Sequence, residues 1–269
     1  MAAKFQQKLW GYELICPDDW VHRSMGEVEG FAARPEGLEP ADNETQSGHL
    51  LIRAAWNGIR YPVEELWEAH IGKVASMVGA KKVGSAPWVL AGASGFEAEI
   101  VLPKKEERRL WVGFLSRETI LLEFMVAHPL DERSWFEPQV TELLKSLRFL
   151  EHIDGLAVHE CGIPLPPDCE PIEPTKILKD IPEPAEWQAF DSLHSIGGLQ
   201  AFYAREAPHQ GWTIETFQPF PGEHNLGFAR LRLRQGNRLI ALGLVPYQRD
   251  PADPELSGRI AFKVGGTNT

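Results

Sequence analysis

Cysteine is scarce in this chain, with three in 269 residues, too few for a disulfide framework at this length. No apolar run approaches the roughly 20 residues that a membrane-crossing helix needs. Positive charge is short as well. The net charge is −11, and neither half is basic: residues 1–150 carry 17 Lys and Arg against 22 Asp and Glu, and residues 151–269 carry 10 against 16. Phosphate contacts need clustered cations, so no nucleic-acid partner is expected. No Gly-rich phosphate loop with a following Lys-Ser or Lys-Thr occurs, and no Gly-x-Gly-x-x-Gly follows an extended segment. No cofactor is expected. The first ten residues hold Lys4 and Lys8 and lack the apolar stretch of an export signal. Cytoplasmic residence is the expectation, provided no such signal has been removed.

What is present is the composition of a globular protein, 43% apolar and 24% charged. Tyr12, Leu14 and Cys16 alternate with Glu13 and Ile15, a strand that Pro17 ends. Phe31–Arg34 reads as a short strand and His49–Trp56 as a buried one, with a loop rich in Pro, Gly and Asp over 35–48 between them. After Pro62, residues Val63, Leu66, Trp67, Ile71, Val74 and Val78 fall on one face of a helix that stops before Gly79. Extended segments follow at Trp88–Leu90, Gly95–Leu102, Leu110–Leu115 and Thr119–Val126. The mixed-charge run Lys104–Arg109 reads as a solvated hairpin tip, because its charges nearly cancel. Pro138, Val140, Leu143, Leu144 and Leu147 form a closing helix.

Residues 151–185 change character. Pro164, Pro166, Pro167, Pro171, Pro174, Pro182 and Pro184 crowd this stretch, which predicts a stiff linker. Beyond it come a strand at Glu186–Phe190, a helix carrying Ile196, Leu199, Phe202 and Tyr203, and a strand at Trp212–Phe217. A hairpin over Phe228–Arg234 and Arg238–Val245 turns at Gln235-Gly236-Asn237, and Ser257–Val264 adds a final strand. The expected fold class is α+β in two domains: 1–150, an antiparallel sheet flanked by helices, and 186–269, a smaller α+β domain, joined by the 151–185 linker.

Tyr-Glu-Leu-Ile-Cys-Pro-Asp-Asp-Trp-Val-His-Arg-Ser-Met at 12–25 resembles the opening of the PsbP-like and DcrB-like superfamily, where a strand with a Pro-x-x-Trp turn leads into a second strand. The amphipathic helix at 62–78, the strand entry Gly92-Ala93-Ser94-Gly95-Phe96-Glu97-Ala98-Glu99 and the ending Leu144-Lys145-Ser146-Leu147-Arg148-Phe149 are similar too. The pattern is closest to DcrB-like proteins, which include the effector-associated chaperones of type VI secretion. The resemblance covers residues 10–150 and implies a non-catalytic binding or assembly module. In the chaperones, that role is the shielding of hydrophobic segments. The second domain has no counterpart in it.

Candidate chemistry is thin. His152, His159, Cys161 and Cys169 are zinc-type side chains, but they lack a close Cys-x-x-Cys pair and read as ordinary linker residues; no metal is expected. A Cys161–Cys169 disulfide is not expected in a reducing compartment. Ser94 in Gly92-Ala93-Ser94-Gly95-Phe96 misses the nucleophile elbow, which needs Gly where Phe96 stands. Asp18 and Asp19 read as turn residues rather than paired acids. Arg230, Arg232 and Arg234 alternate along one strand face and are the candidates for binding an anion, against the plainer reading of a solvent face paired with nearby acids. Of nine tryptophans, Trp10, Trp20 and Trp135 lie near loops or element ends and are the expected partner-binding residues.

These observations predict no catalytic activity and a protein-interaction or assembly role: a hydrophobic segment of a protein partner held by the first domain. A second copy of the chain is one partner this reading admits. The rivals are a carrier of a small ligand or lipid in a pocket of the same domain, and a hydrolase with unrecognised residues. A closed cavity favours the carrier, an open groove or free strand edge favours the protein partner, and a converging Ser, His and carboxylate favours the hydrolase.

Overall fold

The computed structural model describes residues 3–39, 47–102, 108–177, 183–222, 227–248 and 256–266. The chain is α+β and divides into two compact units, Met1–Gln7 with Tyr12–Phe149, and Lys8–Gly11 with Leu150–Thr269. Of the expected hairpin tip Lys104–Arg109, residues 104–107 lie outside the described residues.

The first unit runs β1 (Ala3–Gln7), β2 (Tyr12–Cys16), β3 (Val21–Met25), β4 (Val28–Ala32), β5 (His49–Trp56), α1 (Val63–Met77), β6 (Lys81–Leu90), β7 (Ala93–Val101), β8 (Arg108–Arg117), β9 (Ile120–Pro129), α2 (Arg133–Lys145) and β10 (Arg148–Phe149). Seven strands form one antiparallel sheet in the order β3-β4-β5-β9-β8-β7-β6, and β1-β2-β10 form a small one. Alternation along each strand gives the large sheet two apolar faces. On one, Trp67 and Ile71 of α1 pack with Ala98, Ile100, Leu110, Val112 and Phe114. On the other, the register sets Glu99, Trp111 and Val126 in one row and Glu97, Gly113 and Phe124 in the next. The helix α2 buries Phe136, Val140, Leu143 and Leu144. It starts five residues before Pro138, where the sequence reading began it, because Phe136 has a core to join.

The second unit runs β11 (Glu170–Pro171), β12 (Trp187–Asp191), α3 (Ile196–His209), β13 (Thr213–Gln218), β14 (Ala229–Gln235), β15 (Arg238–Tyr247) and β16 (Ser257–Gly266). Its six strands are antiparallel in the order β11-β12-β16-β15-β14-β13, and α3 packs on β13, β15 and β16. Ser195 caps α3, its hydroxyl oxygen accepting from the Gly198 N–H at 3.1 Å.

Two boundaries differ from the sequence reading. The proline-rich stretch, expected as a stiff linker, is packed within the second unit: Ile153 and Ile163 are buried, and the Trp212 indole donates to the Gly162 carbonyl at 2.9 Å. Proline excludes regular structure there but does not exclude burial. Residues Lys8–Gly11, which sequence order gives to the first domain, belong to the second unit. The Arg205 guanidinium on α3 donates to the carbonyls of Lys8 at 2.7 Å and Leu9 at 3.2 Å. At Gly11 (φ +69°) a Cβ would stand where that guanidinium lies.

Candidate functional site

A cavity of about 420 Å³ lies in the first unit between α2 and the sheet face of β6–β9. Its floor is Trp88, Leu90, Trp111 and Val126, and α2 supplies Val140 and Leu144. Trp88 and Trp111 meet edge to face, with centroids 5.1 Å apart at 88°, and Trp88 meets Phe124 the same way at 5.2 Å. Gly113 makes room for them. A Cβ there would come within 2.5 Å of Trp111 and 2.7 Å of Trp88, so any larger residue would lift the indoles off the sheet.

Polar groups ring this apolar floor. The Trp111 indole N–H donates to Glu97 at 2.9 Å. Arg109 lies 2.6 Å from Glu99 and 3.9 Å from Glu137. Glu137 also takes Arg133 and the His128 ring, each at 3.2 Å, and the other ring nitrogen of His128 lies 2.7 Å from the Pro129 carbonyl oxygen. Lys145 and Thr141, both exposed, bring the α2 side of the cavity to solvent. One wall is a strand edge, since β6 is the end strand of its sheet. That edge is interrupted by a bulge between Val83 and Ala86 and by Pro87, which has no N–H. The arrangement suits side-chain burial more than addition of a full strand.

The tryptophans singled out from the sequence fall elsewhere. Trp10 is 2% exposed and Trp20 7%. Trp20 stacks on Phe136 at 5.4 Å and donates its indole N–H to Gln139 at 2.6 Å. Neither ring is open to a partner, because nearness to a loop in sequence does not set exposure. Trp135 is half-buried beneath the Arg34 guanidinium, 5.6 Å from its centroid. Of the expected anion row, Arg232 lies 3.0 Å from Glu215 and Arg234 is bonded to the same carboxylate, while Arg230 is exposed. Leu231 and Leu233 on the opposite face are fully buried, so the row is the solvent side of a two-faced strand.

Among the described residues no three His, Cys, Asp or Glu side chains are placed to share a metal. His152 stacks on His209 at 3.8 Å, whereas His159 lies 3.1 Å from Cys161 Sγ. The cysteines are free, and burial raises all three thiols, Cys16 to about 11. Ser94 is exposed at the start of β7, after a turn with Ala91 and Gly92 at positive φ. Asp18 and Asp19 are exposed in a turn closed by the Trp20 N–H on the Pro17 carbonyl at 3.1 Å.

Among the described residues a Ser–His–carboxylate cluster does form. Ser24 Oγ donates to Glu29 at 2.6 Å, and His22 Nε2 is 2.7 Å from the same oxygen. The carboxylate is the hub, with serine and histidine each bound to it and not to one another. The imidazole therefore has no hydroxyl proton to take, which a nucleophilic serine requires. Gln7 adds a further bond to Glu29 at 3.0 Å, and the His22 ring packs 4.4 Å from Phe5 and 4.9 Å from Phe31.

The sequence reading missed the groove residues as a set. Its one local signal was glycine inside strands, at Gly95 opposite Trp88 and at Gly113.

No family model matches the chain. No curated protein matches it either. Solved structures similar to it include PsbP from Synechocystis sp. PCC 6803, 12% identical, covering 55% of this chain and 91% of that one with a TM-score of 0.41. The Ran-binding protein Mog1p of Saccharomyces cerevisiae is 10% identical over 56% of this chain and 96% of its own, with a TM-score of 0.38. LpqN of Mycobacterium tuberculosis, involved in cell envelope biogenesis, is 15% identical over 55% and 85%, with a TM-score of 0.40. At these scores and identities nothing about function follows.

Proposed function

We propose that this chain is a non-catalytic protein-interaction module, chaperone- or adaptor-like, whose first unit receives a hydrophobic segment of a partner protein. The carrying observation is the cavity between α2 and β6–β9, with an indole floor, an open side and a strand edge for one wall. Desolvated aromatic anchors ringed by polar groups are the anatomy of a protein interface core. No group within this ring is arranged as a nucleophile with its base. The volume, about 420 Å³, also falls among small-molecule sites, and a lipid or small-ligand carrier is the second reading.

A photo-crosslinking residue at the exposed Thr141, used in the native host, separates the two. The expected product is a covalent adduct with an apolar segment of another chain, absent when the same residue replaces the exposed Glu65 on α1. Adducts with lipid or small molecules alone would transfer the assignment to the carrier. An equal protein adduct from position 65 would remove the groove from consideration.

A further inference from the structure

We propose that the segment received by the groove carries a basic residue, lysine or arginine, between apolar side chains, and that Glu97 with the Trp88 and Trp111 indoles receives its charged head. This rests on the groove being a peptide site and adds the chemistry of its occupant.

The cations of the groove are already engaged. Arg109 is held by Glu99 at 2.6 Å, and Lys145 by Glu142 at 2.7 Å. The Glu137 carboxylate has Arg133, His128 and, more distantly, Arg109. Glu97 differs. Among the described residues its carboxylate takes the Trp111 N–H at 2.9 Å and enters no ion pair. It is half-buried, in the same cross-strand row as Gly113, where the indoles lie. Covering it with an apolar occupant would strip water from an anion and supply nothing in return. A cationic head supplies the missing charge, and indole faces attract the same cation.

Trp88 packs edge to face on both Trp111 and Phe124, at 88° and 84°, which fixes its ring beside Glu97. An acidic segment would meet Glu97, Glu99 and Glu137 together. The net charge of −11 also favours encounter with basic segments over acidic ones.

The test uses the full chain and three fluorescein-labelled peptides that share one leucine-rich amphipathic framework and differ at a central position, Lys, Gln or Glu. Anisotropy should show the Lys peptide binding about tenfold more tightly than the Gln peptide, with the Glu peptide weakest. Glu97→Gln keeps an acceptor for the Trp111 N–H, so it should abolish the Lys advantage and leave the Gln peptide unchanged. Added salt should weaken the Lys peptide alone, a reading that needs no variant. Equal binding of Lys and Gln peptides to the unsubstituted chain would overturn the basic-residue inference while leaving the groove reading in place. Failure of all three to bind, or indifference of all three to Trp111→Ala, would overturn the groove reading itself. Dodecylammonium binding more tightly than the Lys peptide would overturn the assignment to a protein segment.

Discussion

The Glu29 carboxylate is 3% exposed and accepts from Gln7, His22 and Ser24. Burial alone would raise its pKa, but the hydrogen bonds from His22, Ser24 and Gln7 outweigh burial and hold it below the ordinary value of 4.5. A carboxyl that gives up its proton more readily folded than unfolded stabilises the fold in its ionised form. That contribution is complete above about pH 4.5 and is lost as pH falls through the lower folded value. Glu29→Gln should therefore cost about 1–2 kcal/mol in denaturant melts at neutral pH, and the difference should shrink once both chains are protonated in acid. A constant difference across that range would mean that shape, and not charge, holds the cluster. His49 titrates the other way. Burial lowers its pKa, so it opposes protonation and loses stability as pH falls through the ordinary histidine value of about 6.5. The acid limb will thus begin before Glu29 contributes to it.

Helix α2 is the element on which core and groove both depend. Phe136 is fully buried, stacked on Trp20 and 5.5 Å from the His128 ring, while one turn on Val140 lines the cavity. Phe136→Ala should cost about 3–5 kcal/mol in a urea melt and weaken any groove ligand along with it. A change below about 1 kcal/mol would show that the site collapses readily and that α2 is less fixed than its burial implies. Most elements were legible because their residues are sorted between water and core. The 3.6 period of Val63, Trp67, Ile71 and Val74 gives α1, and the buried alternation of Leu231 and Leu233 gives β14. Strands without that sorting left no trace in composition: β1 buries none of its five residues, and β3 is an edge with four exposed. The groove was illegible for a different reason. Trp88, Glu97, Trp111 and Val126 converge only through strand register, and no local window of the sequence contains it.

At the scale of the whole chain, sequence order and structural membership part company at residues 8–11. Leu9 and Trp10 are 3% and 2% exposed, and they belong to the second unit although the rest of it begins at Leu150. The Lys8 and Leu9 carbonyls answer an ion pair on α3: half-buried Arg205 donates to Lys8 O and Leu9 O, and its Nε to the fully buried Glu206 at 2.5 Å. Glu206 in turn accepts from the Ile153 N–H at 3.3 Å. Removing residues 8–11 would leave Arg205 without two acceptors and expose the apolar surface that Leu9 covers at Gly198. One buried partner lost costs about 1–3 kcal/mol, and two core side chains lost add about 2–5 kcal/mol each. A typical domain is stable by about 5–15 kcal/mol in all. The fragment 150–269 should therefore lack a sharp thermal transition and the near-ultraviolet signal of fixed aromatic packing. Adding a synthetic peptide of residues 5–12 should restore part of both. A cooperative melt of the bare fragment matching the full chain, unaffected by that peptide, would show that the second unit is complete without its N-terminal contribution.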